Sequence, residues 1–363
     1  MVGTVEPMLL LLACTPEPVD IVMRESGTPD SEVTADSGGT TEDWLGGAGL
    51  GTRRTLVAVN YPTTRQRIYT LDHEAEILGY FQVPGSMYNV DGGDSHAQLM
   101  DFELLEGGNV MLSMWPKGLF EVNPDGEVVW EMNDVHASHD VDRLEDGNYL
   151  IARTWAAEGD KQIVERTREG EHVWSWRGSD RYGEHEEFGD ISDESGAWMH
   201  INAVERLDEG ITRACIRNFN LVIDINRDGL VVNEIQLAST RAEYVDVEGR
   251  VAGEKPHGME TTDEGTVLVG TRAPHRVVEV DENGGMVWQF QADGLRSVRD
   301  VDRLPNGNTL FTERTEVLEV NPEGEVVWRW EVPSFPWQED TMEEVAPIMS
   351  VLRIDAEGNS SNR

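Results

Sequence analysis

The sequence predicts an all-β chain, a six-bladed β-propeller closed by a C-terminal strand that completes the first blade. Three observations carry the prediction. A strand–turn–strand unit recurs along the body of the chain, the copies close in a tryptophan-bearing strand, and the first copy lacks the one strand that turns up at the far end.

Asp101–Gly108, Asp140–Gly147 and Asp300–Gly307 are clear copies of the opening strand, and looser copies end at Gly210 and Gly265. Each alternates apolar and polar residues and runs into an Asp-Gly or Asn-Gly type turn, the pattern of a tight hairpin. The second strand follows, as in Asn148–Arg153 and Asn308–Thr312. A third strand and a second glycine turn lead to the fourth, where Trp130, Trp174, Trp288 and Trp328 each stand four residues after a glycine. On outer strands these tryptophans are inter-blade packing groups. The unit from Thr52 to Phe81 holds strands two to four only, and Val351–Gly358 carries the missing first-strand pattern. Supplying it from the C-terminus closes the ring and removes exposed strand edges. An open β-sandwich leaves that complementarity unexplained.

The charge balance excludes a class of partner. Asp and Glu number 69 against 29 Lys and Arg, a net charge of −40. Such a chain repels phosphate backbones and anionic bilayers, which excludes nucleic acid, and it suits salty surroundings. Of its two cysteines, Cys215 lies in an apolar segment and reads as a small core residue. Cys14 ends the apolar run Met8–Cys14, which reads as a short h-region with a lipobox. On that reading residues 1–14 are a lipoprotein signal peptide cut before Cys14, and the protein is exported, periplasmic or at the cell surface. The membrane is then met only through a lipid on Cys14. The run is short and no basic residue precedes it, so an apolar run without export meaning stands as the alternative. Residues 15–50, rich in Thr, Ser, Gly, Asp and Glu, read as a disordered acidic linker. Residues 51–363 form the propeller, and no stretch in them is long and apolar enough to span a bilayer.

The turn glycine serves as a ruler. Eight positions before it lies the start of strand one and seven after it the end of strand two, both at the same end of the hairpin and on one rim of the channel. Reading back gives Met100, His139, Asn202, His257 and Arg299; reading forward gives Trp115, Thr154, Arg217, Arg272 and Arg314. His96, His136 and His200 lie within a few residues of the first column. Guanidinium groups gathered in an acidic protein repel one another unless an anion sits among them, and Arg suits forked recognition of oxyanions. Singly, each histidine reads as a structural hydrogen bonder and each arginine as the partner of a local carboxylate such as Glu313. Convergence at equivalent repeat positions favours a site. His136 and His139 lack a third ligand at convincing spacing, so no metal is expected.

These residues resemble the arylsulfate sulfotransferase family, a six-bladed propeller with a central funnel that moves a sulfuryl group between phenols without a nucleotide donor, through a sulfohistidine. His200-Ile201-Asn202 with Arg217 is similar to the family's His-x-Asn and following Arg. Pro256-His257-Gly258 opens the fifth blade, where the family places its sulfated histidine, and His139-Asp140 resembles an earlier blade-start His. The likeness spans roughly residues 52–358. It implies aryl-sulfate sulfotransferase activity with aryl sulfate and phenol as partners, and no cofactor. His257 would be the nucleophile, His139 an acid–base, and His200, Asn202 and Arg217 would stabilise the transferring group. Arg272, Arg299, Arg314, His136 and Trp198 would bind substrate, and Trp155 and Phe219 could flank an aryl ring. The N-terminal β-sandwich of some family members is not expected here, the family's paired cysteines are missing, and its hydroxyl near the last blade has only Ser297 as a counterpart, unless Arg299 replaces it. A non-catalytic anion- or ligand-binding propeller lipoprotein is the alternative reading. His257 discriminates the two, because a receptor needs only the arginines.

Overall fold

The computed structural model describes residues 44–45, 53–60, 66–87, 97–105, 107–134, 136–137, 139–183, 197–237, 255–272, 275–333 and 348–354. Cys14 with its apolar run, His96 and nearly all of the expected linker lie outside them. The described residues form six four-stranded antiparallel blades arranged as a propeller.

Blade 1 is built as predicted. Its innermost strand is Ile348–Ile354 from the C-terminus, paired antiparallel with Arg54–Val59 in a register that sets Val57 opposite Val351. Blades 2 to 6 begin with Gln98–Leu104, Val141–Arg143, Ile201–Arg206, Pro256–Thr261 and Val301–Arg303, and each runs outward through three more strands. The second and third strands lie between neighbouring blades on both faces and are buried along their length, as in Val267–Thr271 and Leu221–Ile225. Their near-continuous Val, Ile and Leu runs follow from that double burial. Fourth strands such as Val128–Met132 carry exposed positions because one edge meets solvent.

The tryptophans pack between blades. Trp130 Nε1 donates to Arg168 O at 2.8 Å and Trp174 Nε1 to Arg227 O at 2.9 Å, each acceptor lying in the next blade. The Arg168 guanidinium stacks 5.1 Å over Trp130 and is held by Glu121, which also accepts from Asn109 just past the turn glycine. One contact lies ahead of residue 51. Trp44, inside the stretch expected to be linker, is buried against Phe81 with ring centroids 5.3 Å apart, and Leu45 packs beside it. A single large apolar side chain in a polar run is enough to anchor it, so propeller packing starts before residue 51.

Candidate active site

The strand pairing confirms the ruler's geometry. Arg217 N donates to His200 O and Arg272 N to Lys255 O, both at 3.2 Å, so the end of strand two lies beside the start of strand one. A second feature falls on the same column. The register of the first hairpin slips between Leu99 and Asp101, between Ile201 and Ala203, and between Pro256 and Met259. The bulges therefore hold Met100, Asn202 and the pair His257–Gly258, and a bulge re-aims the side chains it carries. Two residues ahead, His200 and Lys255 occupy one repeat position and both have left-handed backbones, φ 54° and 44°. Such backbones in non-glycine residues cost on the order of 1–3 kcal/mol and collect at functional sites.

Three rim histidines meet. The His139 ring lies 5.0 Å from His257 and 5.3 Å from His200, centroid to centroid. His257 and His200 are each 4% exposed and Asn202 2%, while His139 is half-buried. Arg217 Nη1 donates to His200 Nε2 at 2.9 Å. Asn202 Nδ2 donates across the blade boundary to Pro256 O at 3.1 Å, which ties the fourth blade to the residue before His257. His257 Nδ1 faces Arg299 O at 2.9 Å. A carbonyl accepts only, so Nδ1 carries the proton and, in the neutral ring, Nε2 keeps its lone pair. Nε2 is buried and has no hydrogen-bond partner among the described residues. Gly258 makes this contact attainable: a Cβ there would stand 2.5 Å from Arg299 O and 2.6 Å from Asp300 Cα. The Pro-His-Gly sequence thus ends in glycine because the sixth blade's entering strand passes against it.

Burial, then the charges of His200, Arg299, Arg217 and Arg272, hold His139 well below the usual imidazole range. Burial and the charges of His139, Arg299, Arg272 and Arg217 do the same to His257. Arg299 itself is pushed down to about 9 by burial and by Arg272, Arg217 and Arg314. Both histidines are therefore neutral at pH 7 within a strongly cationic rim.

The aromatic groups divide. Trp155 lies 5.1 Å from His139 and 5.8 Å from His200, and stacks on Trp115 at 4.3 Å. Trp198 and Phe219 meet edge to face at 5.3 Å in the interior between blades 3 and 4, where Tyr182 also packs. His136 is half-buried in a turn capped by Asp134, and the ring contacts joining the three histidines do not include it. Ser297 shares the repeat position of His200 and Lys255; its hydroxyl is buried without a partner among the described residues.

A second layer escapes the sequence reading. One step along the strands from the rim come Asp101, Asp140 and Asp300, with Glu103, Asp142, Glu205 and Glu260 further down. Most take a backbone N–H from the first strand of the next blade. Asp101 accepts from Val141 at 3.3 Å, Asp140 from Val204 at 2.6 Å and Asp300 from Val351 at 2.8 Å. Glu103 accepts from Arg143, Glu205 from Thr261, and Glu260 from Arg303. Between blades 1 and 2 the Asn60 amide plays this part, exchanging two hydrogen bonds with Leu99. Strands lining the channel leave buried amides on one edge, and these side chains satisfy them. Burial drives the carboxyls upward, Glu103 and Asp140 to about 7, Asp300 to about 6 and Glu260 to about 8. The signal was present in the repeated Asp of the opening strand, but alternation alone reads such residues as solvent-facing.

A family model described as Arylsulfotransferase (ASST) matches residues 50–235, just over half of the chain. No curated protein matches the sequence. Among solved structures, the chain is similar to a protein of unknown function from Bacteroides caccae. That pair is 16% identical over 77% of this chain and 94% of the other, with a TM-score of 0.54. It is also similar to a catalytically inactive virginiamycin B lyase from Staphylococcus aureus crystallised with quinupristin, 9% identical over 84% of this chain and 94% of that one, TM-score 0.49.

Proposed function

Since the chain belongs to the arylsulfotransferase family, we propose that it moves a sulfuryl group from an aryl sulfate to a phenol, with His257 carrying the group between them. The observation behind this reading is the state of His257: Nδ1 proton held by Arg299 O, Nε2 buried and without a partner among the described residues, His139 5.0 Å away. A neutral imidazole with its lone pair directed into a cationic site is a nucleophile suited to an anionic ester.

In the first half-reaction the Nε2 lone pair forms an N–S bond while the S–O(aryl) bond breaks, its electron pair leaving on the aryl oxygen. Arg217 and Arg272 offset the sulfuryl charge, and Arg217 also fixes His200. Asn202 acts through Pro256, holding the start of the strand that bears His257. Binding the sulfate offsets the guanidinium charge that adds to burial in keeping His139 neutral, so His139 takes up a proton in the complex and gives it to the departing phenolate. In the second half-reaction the acceptor phenol returns that proton to His139, its oxygen attacks sulfur, and the N–S bond breaks with its pair returning to Nε2. Trp155 with Trp115 supplies the wall on which an aryl ring lies. Lipidation at Cys14 and placement outside the cytoplasm belong to the same proposal, since the apolar run ahead of Cys14 supports both. A Cys14→Ser chain should then leave the membrane fraction.

The test is a chromogenic aryl sulfate with a phenol acceptor. Wild type should release the chromophore and sulfate the acceptor with ping-pong kinetics; His257→Ala should lose nearly all of both. Brief exposure to donor without acceptor should leave a sulfuryl adduct on His257 by mass spectrometry. Robust transfer by His257→Ala refutes the covalent route, and tight binding of the ester with no release of phenol supports a receptor instead.

A further inference from the structure

The cations of the rim are not spread evenly around His257. Arg299, Arg217 and Arg272 act on both His139 and His257, and Arg299 in turn feels Arg272, Arg217 and, after them, Arg314. Arg299 and the backbone of Arg314 both bond the C-terminal strand: Arg299 Nη1 donates to Met349 Sδ at 2.8 Å, and Ile348 N donates to Arg314 O at 3.1 Å. A thioether is a weak acceptor for a guanidinium. The buried Nε of Arg299 has no partner among the described residues, and a polar group buried without one is unfavourable unless a ligand supplies it. This donor set is made for an oxyanion. An aryl sulfate carries one negative charge at its sulfuryl end, and Arg217 and Arg272 already stand to receive it.

We propose that Arg299 and Arg314 form a second anion subsite beside the sulfuryl position, so that the substrates of this chain are aryl sulfates, or phenols, bearing a further anionic group such as a carboxylate. The inference rests on the transfer reading only for where the sulfuryl group sits. Position on the ring is left to the experiment, because the subsite accepts whichever isomer reaches it.

The probes are phenyl sulfate and its 2-, 3- and 4-carboxyphenyl analogues, compared by calorimetric affinity and by transfer rate to a common phenol at low salt. At least one carboxylated ester should bind about tenfold or more tighter than phenyl sulfate, the yield of a charge-assisted forked contact. That advantage should shrink to about twofold or less in Arg299→Gln and in Arg314→Gln. Arg299→Gln also loses the contact with Met349; Arg314→Gln keeps the backbone bond to Ile348, so a folding defect in the first leaves the second to decide. Equal affinity for all four esters, binding of none, or an advantage that survives in both variants overturns the subsite. Tighter binding of a carboxylated ester without release of phenol keeps the subsite and removes the transfer reading. Transfer with no preference does the reverse.

Discussion

The rim of the channel and the carboxylate girdle below it are made by neighbouring residues of the same strands, and they behave oppositely. His139 and Arg299 stand in the histidine–arginine cluster; Asp140 and Asp300, the very next residues, accept amides from the adjoining blade. Burial acts on both layers and always against charge. It holds the histidines neutral, as the proposed nucleophile needs, and it raises the carboxyls toward neutrality, where they serve as fasteners. Alternation along a strand thus lets one repeat position vary for chemistry while its neighbour is spent on ring closure. Rim substitutions should change rate and leave folding alone; girdle substitutions should change stability and leave rate alone.

The sharpest break of that contrast is Arg217→Ala. Losing a preorganised donor to the transferring group costs about a hundred- to a thousandfold in kcat, while a half-exposed rim arginine should move the melting temperature little. A comparable loss of stability would show that the rim is part of the scaffold. Gly258→Ala tests the seam between the layers. Its methyl would press on Arg299 O and Asp300 Cα, with an overpacking cost of about 1–3 kcal/mol. Moving Arg299 O also frees His257 to turn. We expect kcat to fall roughly ten- to a hundredfold with KM nearly unchanged, because the glycine positions His257 and touches no substrate.

The girdle makes its own prediction in pH. Glu260, raised to about 8 chiefly by burial, has a folded pKa above its unfolded value. Its contribution is therefore fully present below about pH 4.5 and is lost as pH rises through about 8. Glu103, Asp140 and Asp300 add in the same direction at about 6 to 7. The melting temperature should fall by roughly 5 °C or more between pH 5 and 9, and the fall should persist in molar salt, which screens surface charge but not buried groups. Glu260→Gln still offers an acceptor to Arg303 N and no longer titrates, so it should flatten the slope while leaving turnover near wild type. A slope unchanged in Glu260→Gln would place the titration elsewhere.

The repeat made the fold legible, since a missing first strand and a spare last one can be matched by pattern alone, and Val351 does pair opposite Val57. The column of His139, Asn202, His257 and Arg217 was legible because hairpin geometry fixes where strand ends lie. The bulges at Met100, Asn202 and His257 were not, since register depends on both strands at once. Nor was the girdle: an inward Asp and an outward Asp look alike until the neighbouring blade brings an amide to one of them. Trp44 was missed for a similar reason, its partner Phe81 being remote in sequence. Trp198, placed among substrate groups by its closeness in sequence to the column, packs its ring edge to face on Phe219.

The smallest expected effect lies in the aromatic sector of the rim. Trp155 touches two of the three histidines and stacks on Trp115, which stands one blade back. If the pair is a wall for the aryl ring, Trp155→Leu removes offset stacking worth about 0.5–1.5 kcal/mol and should raise KM some two- to tenfold. The loss should be greater for a naphthyl than for a phenyl ester, because more ring area leaves the wall. Trp115→Leu should show the same order with a smaller size, acting through Trp155. If instead the two indoles merely fill space between blades 2 and 3, both variants should lower the melting temperature and treat the two esters alike. Measuring KM for both esters alongside the melting temperature separates a recognition surface from a packed seam.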